Sequence, residues 1–124
     1  MAKTVLIADD EPNIVAALEY LLERNGYRVL IARNGDEALQ QVEEHLPDLV
    51  LLDVMMPLRN GFEVCQKIRE NAEWKHIKIV MLTAKGRQTE ISKGMALGAD
   101  AYLLKPFATK ELLEQVRRLL GASG

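Results

Sequence analysis

Cysteine is almost missing from this chain: Cys65 is the single one in 124 residues. No internal disulfide can form, and its place among Val64 and Ile68 marks Cys65 as a small buried apolar residue. Long hydrophobic runs are lacking too, since none approaches the roughly 18 residues needed to cross a bilayer. The segment Met1-Ala2-Lys3-Thr4 leads straight into strand-like residues without a cleavable-signal pattern, so a cytoplasmic protein is expected. Neither sign of charge dominates: 16 Lys and Arg against 18 Asp and Glu leave a net charge of −2. That balance offers no basic footprint for a phosphate backbone, so direct nucleic-acid binding is not expected. No G-x-G-x-x-G follows the first apolar run, which argues against a dinucleotide cofactor. Internal linkers, low-complexity tracts and charge blocks are also absent.

What is present is ordinary for a folded protein, with 48% hydrophobic and 27% charged residues. A chain of this size buries about two-thirds of its unfolded surface as one unit. One domain over residues 1–124 is expected, with Gly121-Ala122-Ser123-Gly124 as a flexible tail.

Five short apolar runs have the length and branching of buried strands: Val5-Leu6-Ile7, Val29-Leu30-Ile31, Leu49-Val50-Leu51-Leu52, Ile79-Val80-Met81-Leu82 and Tyr102-Leu103-Leu104. Between and after them apolar residues recur at helical spacing. The sets are Ile14, Leu18, Leu21 and Leu22; Ala38, Leu39 and Val42; Val64, Cys65 and Ile68; Ile91 and Met95; Leu112, Leu113, Val116, Leu119 and Leu120. The fourth helix has the thinnest pattern. Gly26 and Gly98 stand where helices should end, and Asn34 with Glu37 reads as an N-terminal cap. Strands that are apolar without alternation are buried on both faces, which implies a doubly wound α/β fold with helices on each side of a parallel sheet.

In such sheets ligands bind beyond the carboxyl ends of the strands. Asp9-Asp10-Glu11 follow the first run, Asp53 the third, Thr83 the fourth and Lys105 the fifth. Two carboxylates ~4 Å apart repel by about 4 kcal/mol at an effective dielectric of about 20, so Asp9, Asp10 and Asp53 cannot comfortably all ionise together. A hard divalent cation resolves the conflict. Mg2+ (or Mn2+) suits a few carboxylate oxygens completed by a backbone carbonyl and water. With such an ion bound, Asp53 can attack a phosphoryl group whose oxygens Lys105 and Thr83 meet. Taken singly these residues have plainer readings: an acidic turn followed by Pro12 is a favourable helix start, and a lone Asp, Thr or Lys at a strand end is commonly structural or solvated. Their joint placement at four strand ends argues for one site.

The same residues stand in blocks that resemble the bacterial response-regulator receiver domain over essentially the whole chain. The blocks are Ile7-Ala8-Asp9-Asp10-Glu11-Pro12, Leu51-Leu52-Asp53-Val54-Met55-Met56-Pro57 with Gly61, Met81-Leu82-Thr83-Ala84, and Gly98-Ala99-Asp100-Ala101-Tyr102-Leu103-Leu104-Lys105-Pro106-Phe107. The resemblance implies a flavodoxin-like sheet of order 2-1-3-4-5 and a phosphorylation-activated switch of a two-component system. Such a switch catalyses only its own phosphorylation and dephosphorylation. The resemblance further implies Asp53 as phosphoacceptor, Asp10 and Asp53 as direct metal ligands, Asp9 acting mainly through water, and Met55 lending its backbone carbonyl. Thr83 and Lys105 would hold the phosphoryl oxygens, with a cis Lys105-Pro106 peptide aiming the lysine. Tyr102 matches the family's switch aromatic, whose rotamer follows the threonine, so that the fourth helix, fifth strand and fifth helix form an output face. Ile91, Met95 and the outer part of the last helix are candidates for contacts there, or equally for the core. The implied partners are a histidine kinase or phosphotransfer protein upstream and a protein partner or fused effector downstream.

Some positions depart from the family's patterns. Met55 and Lys85, two residues beyond the acceptor and the threonine, offer no carboxylate or amide to orient water, which predicts a longer-lived phosphoryl state than in receivers with Asn and Glu there. Ile91, Ala101 and Gln115 stand where receivers of winged-helix transcription factors carry pairing charges, so a monomer or a weak phosphorylation-dependent dimer is expected. His45 and His76 match no ligand spacing and read as solvated; Trp74 reads as packing. A flavodoxin-type flavin carrier would need a glycine- or hydroxyl-rich phosphate loop where Asp9-Asp10-Glu11 stand. An aspartyl-phosphate phosphatase shares the chemistry but usually carries its nucleophile on the first strand, beneath a cap. A phosphorylation-silent adaptor would keep the fold alone.

Overall fold

A computed structural model describes residues 2–84 and 88–121. Strand and helix alternate as β1 (Thr4–Ala8), α1 (Pro12–Arg24), β2 (Arg28–Ala32), α2 (Gly35–His45), β3 (Leu49–Asp53), α3 (Gly61–Glu70), β4 (Lys78–Ala84), α4 (Gln88–Ala96), β5 (Ala101–Lys105) and α5 (Thr109–Leu120), with one 3-10 turn at Ala72–Trp74. All five strands pair in parallel in the order β2-β1-β3-β4-β5, the doubly wound, flavodoxin-like sheet expected. The chain winds one way from β1 to β2 and the other way from β3 onward, which opens a crevice at the carboxyl ends of β1 and β3.

Period-two alternation divides the core into two layers. Leu6 and Ala8 of β1, Val50 and Leu52 of β3, and Ile79 and Met81 of β4 pack beneath α2 and α3 with Ala38, Val42, Val64, Cys65 and Ile68. Their neighbours Val5, Ile7, Leu49, Leu51, Val80 and Leu82 turn the other way, onto Val15, Leu18 and Leu22 of α1 and Leu112 and Val116 of α5. The three central strands are buried on both faces, as read from the sequence. The apolar runs of β2 and β5 are only partly so, because an edge strand has a sheet neighbour on one side alone.

Local signals explain the helix ends. Tyr27 N donates to Leu22 O at 3.1 Å across Gly26, whose φ of +89° suits glycine. Asn34 Oδ1 accepts from Glu37 N at 2.8 Å while Glu37 Oε1 accepts from Arg33 N at 3.0 Å. A full capping box starts α3, where Asn60 and Glu63 cap one another reciprocally. Helix α4 buries only Ile91 and Gly94. Cys65 is fully buried, and burial pushes its thiol up to about 11, so it is an inert core residue. His45 and His76 are exposed, and Trp74 packs partly on the α2–α3 layer. Among the described residues no helix is long and apolar enough to cross a membrane.

Candidate functional site

The alternation that builds the core also sorts the polar residues at the sheet's rim. Asp53 ends β3 opposite Leu82, and Lys105 ends β5 opposite Ala84. By parity Asp9, Asp53 and Lys105 continue the rows that face α1 and α5, whereas Thr83 and Tyr102 continue those that face α4. The distances agree. Lys105 Nζ lies 3.0 Å from Asp9 Oδ2, 3.4 Å from Asp53 Oδ1 and 3.9 Å from Glu11 Oε1. Thr83 Oγ1 instead donates to Glu90 Oε1 of α4 at 2.7 Å.

Asp9 is fully buried, Asp53 and Thr83 nearly so, and Asp10 is exposed. Asp9 is tied down by two contacts, since its Oδ1 accepts from Glu11 N at 2.9 Å and its Oδ2 takes the lysine. Asp53 Oδ1 accepts from Met55 N at 3.2 Å. Gly61 keeps this corner closed, because a Cβ there would collide with the Asp53 carbonyl and sit 2.9 Å from Val54 Cα. Burial, and then the charge of Asp9, raise the Asp53 carboxyl from 3.8 to about 6 against the opposing pull of Lys105. For Lys105, burial favours the neutral amine, but its hydrogen bond to Asp9 and the charges of Asp53, Asp9 and Glu11 outweigh it and raise its pKa.

These groups line a cavity of about 300 Å3 bounded by Asp10, Glu11, Asp53, Thr83, Glu90 and Lys105. Four of those six carry carboxylates and one an ammonium, so a phosphoryl dianion would be repelled without a further cation. Asp9, Asp10 and Asp53 each offer an oxygen, all within 4.8 Å of one another. An all-oxygen set of this kind, open to solvent through Asp10, fits a hard divalent ion that retains water.

The six side chains singled out from sequence thus divide. Asp9, Asp10, Asp53 and Lys105 come together; Thr83 lines the same cavity from the α4 side; Tyr102 stands apart, 40% exposed, beside a groove of about 450 Å3 lined also by Met95, Leu104, Gln115 and Arg118. The Met55 side chain points to solvent, 68% exposed, and the Lys105–Pro106 peptide is cis. Ile91 and Ala101 are buried, so the α4 and β5 positions expected to lack pairing charges are core positions. Lys85 lies outside the described residues. Nothing in the sequence marks Glu90, an ordinary acid on a weakly patterned helix; its approach to Thr83 is what distinguishes it.

The model of the response regulator receiver domain matches residues 5–117. The chain belongs to the response-regulator receiver family. Over 123 residues this receiver is 44% identical to the alkaline phosphatase synthesis transcriptional regulatory protein PhoP of Bacillus subtilis, covering 99% of this chain and 50% of that protein. It therefore spans about half the length of that relative. In structure the receiver is similar to the chemotaxis response regulator CheY4 of Vibrio cholerae, with a TM-score of 0.90 and 33% identity over 96% of this chain and 99% of that one. It is also similar to the receiver domain of a sensor histidine kinase from Pseudomonas aeruginosa that has a magnesium ion coordinated in its active site cleft. There the TM-score is 0.89 and the identity 28%, over 98% of this chain and 99% of that one.

Proposed function

We propose that this receiver is a phosphorylation-driven switch that takes a phosphoryl group onto Asp53 from a histidine kinase, a phosphotransfer protein or a small phosphodonor. One observation carries the reading: the Lys105 ammonium straddles Asp9 and Asp53 at 3.0 and 3.4 Å, beside three carboxylates whose oxygens lie within 4.8 Å of one another. Asp10, Asp53 and the Met55 carbonyl would hold Mg2+ or Mn2+ directly, with Asp9 acting through water. Such an ion, when bound, offsets the charge of the carboxylates and of the phosphoryl oxygens.

The rest is work for the protein's own groups. Met55 N and Lys105 both engage Asp53 Oδ1, which leaves Oδ2 to form the bond to phosphorus. The bond to the leaving group, an imidazole nitrogen or a carboxylate oxygen of the donor, breaks as the new one forms, and its electron pair departs with that group. Lys105 then meets one phosphoryl oxygen as a mobile point charge, and the Thr83 hydroxyl turns to another. Each of these donors requires the deprotonated carboxylate, which in the metal-free site predominates above the Asp53 value of about 6. The α4-β5-α5 face, with Tyr102 at its centre, carries the output to a protein partner or a fused effector.

Intact-mass analysis after incubation with Mg2+ and acetyl phosphate tests this. The parent should gain one phosphoryl group that hydroxylamine removes, and Asp53→Ala should gain none. A parent that stays unmodified, or an alanine variant modified equally, defeats the reading.

A further inference from the structure

Thr83 and Glu90 make the shortest side-chain hydrogen bond described at the site, 2.7 Å from Oγ1 to Oε1. The threonine is nearly buried and the glutamate half-buried, and both line the acidic cavity. A hydroxyl has one proton to donate. While Glu90 receives it, the hydroxyl cannot donate to a phosphoryl oxygen on Asp53. The Glu90 carboxylate also adds a negative charge to the wall that an incoming dianion must approach. The bond further ties the first turn of α4 to the end of β4, adding to the seating that the helix has from buried Ile91 and Gly94 and from Lys93 over the Phe62 ring at 4.6 Å.

We infer that Glu90 is an autoinhibitory latch: it holds the Thr83 hydroxyl and the start of α4 in the unphosphorylated arrangement, and must release both before the phosphorylated state is complete. The inference rests on the phosphoacceptor reading of Asp53 and adds a residue to it. Glu90 acts here through Thr83 and through its charge, so it is a positioning residue and takes no part in bond making.

The test is calorimetric titration of the parent and variants with beryllofluoride, a phosphoryl mimic, at saturating Mg2+. Glu90→Ala should bind about tenfold more tightly than the parent, the scale set by losing one charge-assisted hydrogen bond that competes with binding, and Glu90→Gln, whose amide oxygen still accepts from Thr83, should gain less. In a Thr83→Ala background, which has no hydroxyl to release, the gain from Glu90→Ala should shrink to the smaller, salt-sensitive part due to charge alone. Parent binding with Glu90→Ala within twofold of it, or weaker, overturns the latch and leaves the phosphoacceptor site standing. So does an unchanged affinity accompanied by slower loss of the phosphoryl group in Glu90→Gln, which would make Glu90 a water-orienting group. A parent that binds no beryllofluoride defeats the site itself and the latch with it.

Discussion

Asp53→Asn should stabilise the metal-free receiver at neutral pH, although it removes the proposed phosphoacceptor. The perturbation replaces a buried charge by a neutral group of the same shape. In the folded protein burial and Asp9 lift the Asp53 carboxyl from 3.8 to about 6, a rise equivalent to about 3 kcal/mol. The sign follows from proton counting. Between about pH 4 and 6 the folded state holds the Asp53 proton more tightly than the unfolded state does, so this residue's contribution lowers stability as pH rises through that window. Below it the penalty vanishes, and above it the full amount is present. Asparagine has no proton to lose. In urea with EDTA, Asp53→Asn should therefore exceed the parent by about 3 kcal/mol at pH 7.5, or about 10 °C in Tm, and by close to nothing at pH 4. Excess Mg2+ at pH 7.5 should raise the parent more than the variant and narrow the gap, since the ion offsets the repulsion that the substitution removes. An asparagine variant no more stable than the parent at pH 7.5 in EDTA, or a difference independent of pH, would refute the electrostatic account of this corner.

Leu58 adopts φ +69° and is 73% exposed, so Leu58→Gly should raise stability by about 1 kcal/mol in chemical denaturation, because a leucine in the left-handed region bears a steric strain that glycine escapes. Arg69 ties α3 to the turn before β5 through Nε to Gly98 O and Nη2 to Asp100 Oδ2, each at 2.8 Å. Arg69→Ala should therefore lower the urea midpoint by an amount equivalent to about 2 kcal/mol, and amide exchange should quicken first around Asp100 and Ile79. Gly61→Ala drives a methyl into the Asp53 backbone and should cost about 2–3 kcal/mol by thermal unfolding, with weaker Mg2+ binding. Installing Asn at Met55 and Glu at Lys85 should shorten the acyl-phosphate lifetime, followed by loss of phosphoprotein after removal of donor; an unchanged lifetime would contradict the reading of those two positions.

Much of this receiver is determined by its sequence alone. Five apolar runs alternating with helical patterns fix the element order, and unbroken hydrophobicity at Leu49 to Leu52 and Ile79 to Leu82 requires central strands covered on both sides. Strand ends then carry Asp9, Asp53, Thr83 and Lys105 to one rim, because every parallel strand points the same way. Which of them touch was decided only by tertiary structure. A side chain's face depends on strand parity and on the helix that happens to cover that face, so Lys105 meets Asp9 and Asp53 while Thr83 turns to α4. The partner it finds there, Glu90, belongs to the helix whose sequence pattern is weakest. Burial likewise emerges only on assembly: nothing in the residues around Asp53 announces a carboxyl raised to about 6, since desolvation and the nearby charge of Asp9 come from chain segments more than forty residues apart, brought together by the sheet.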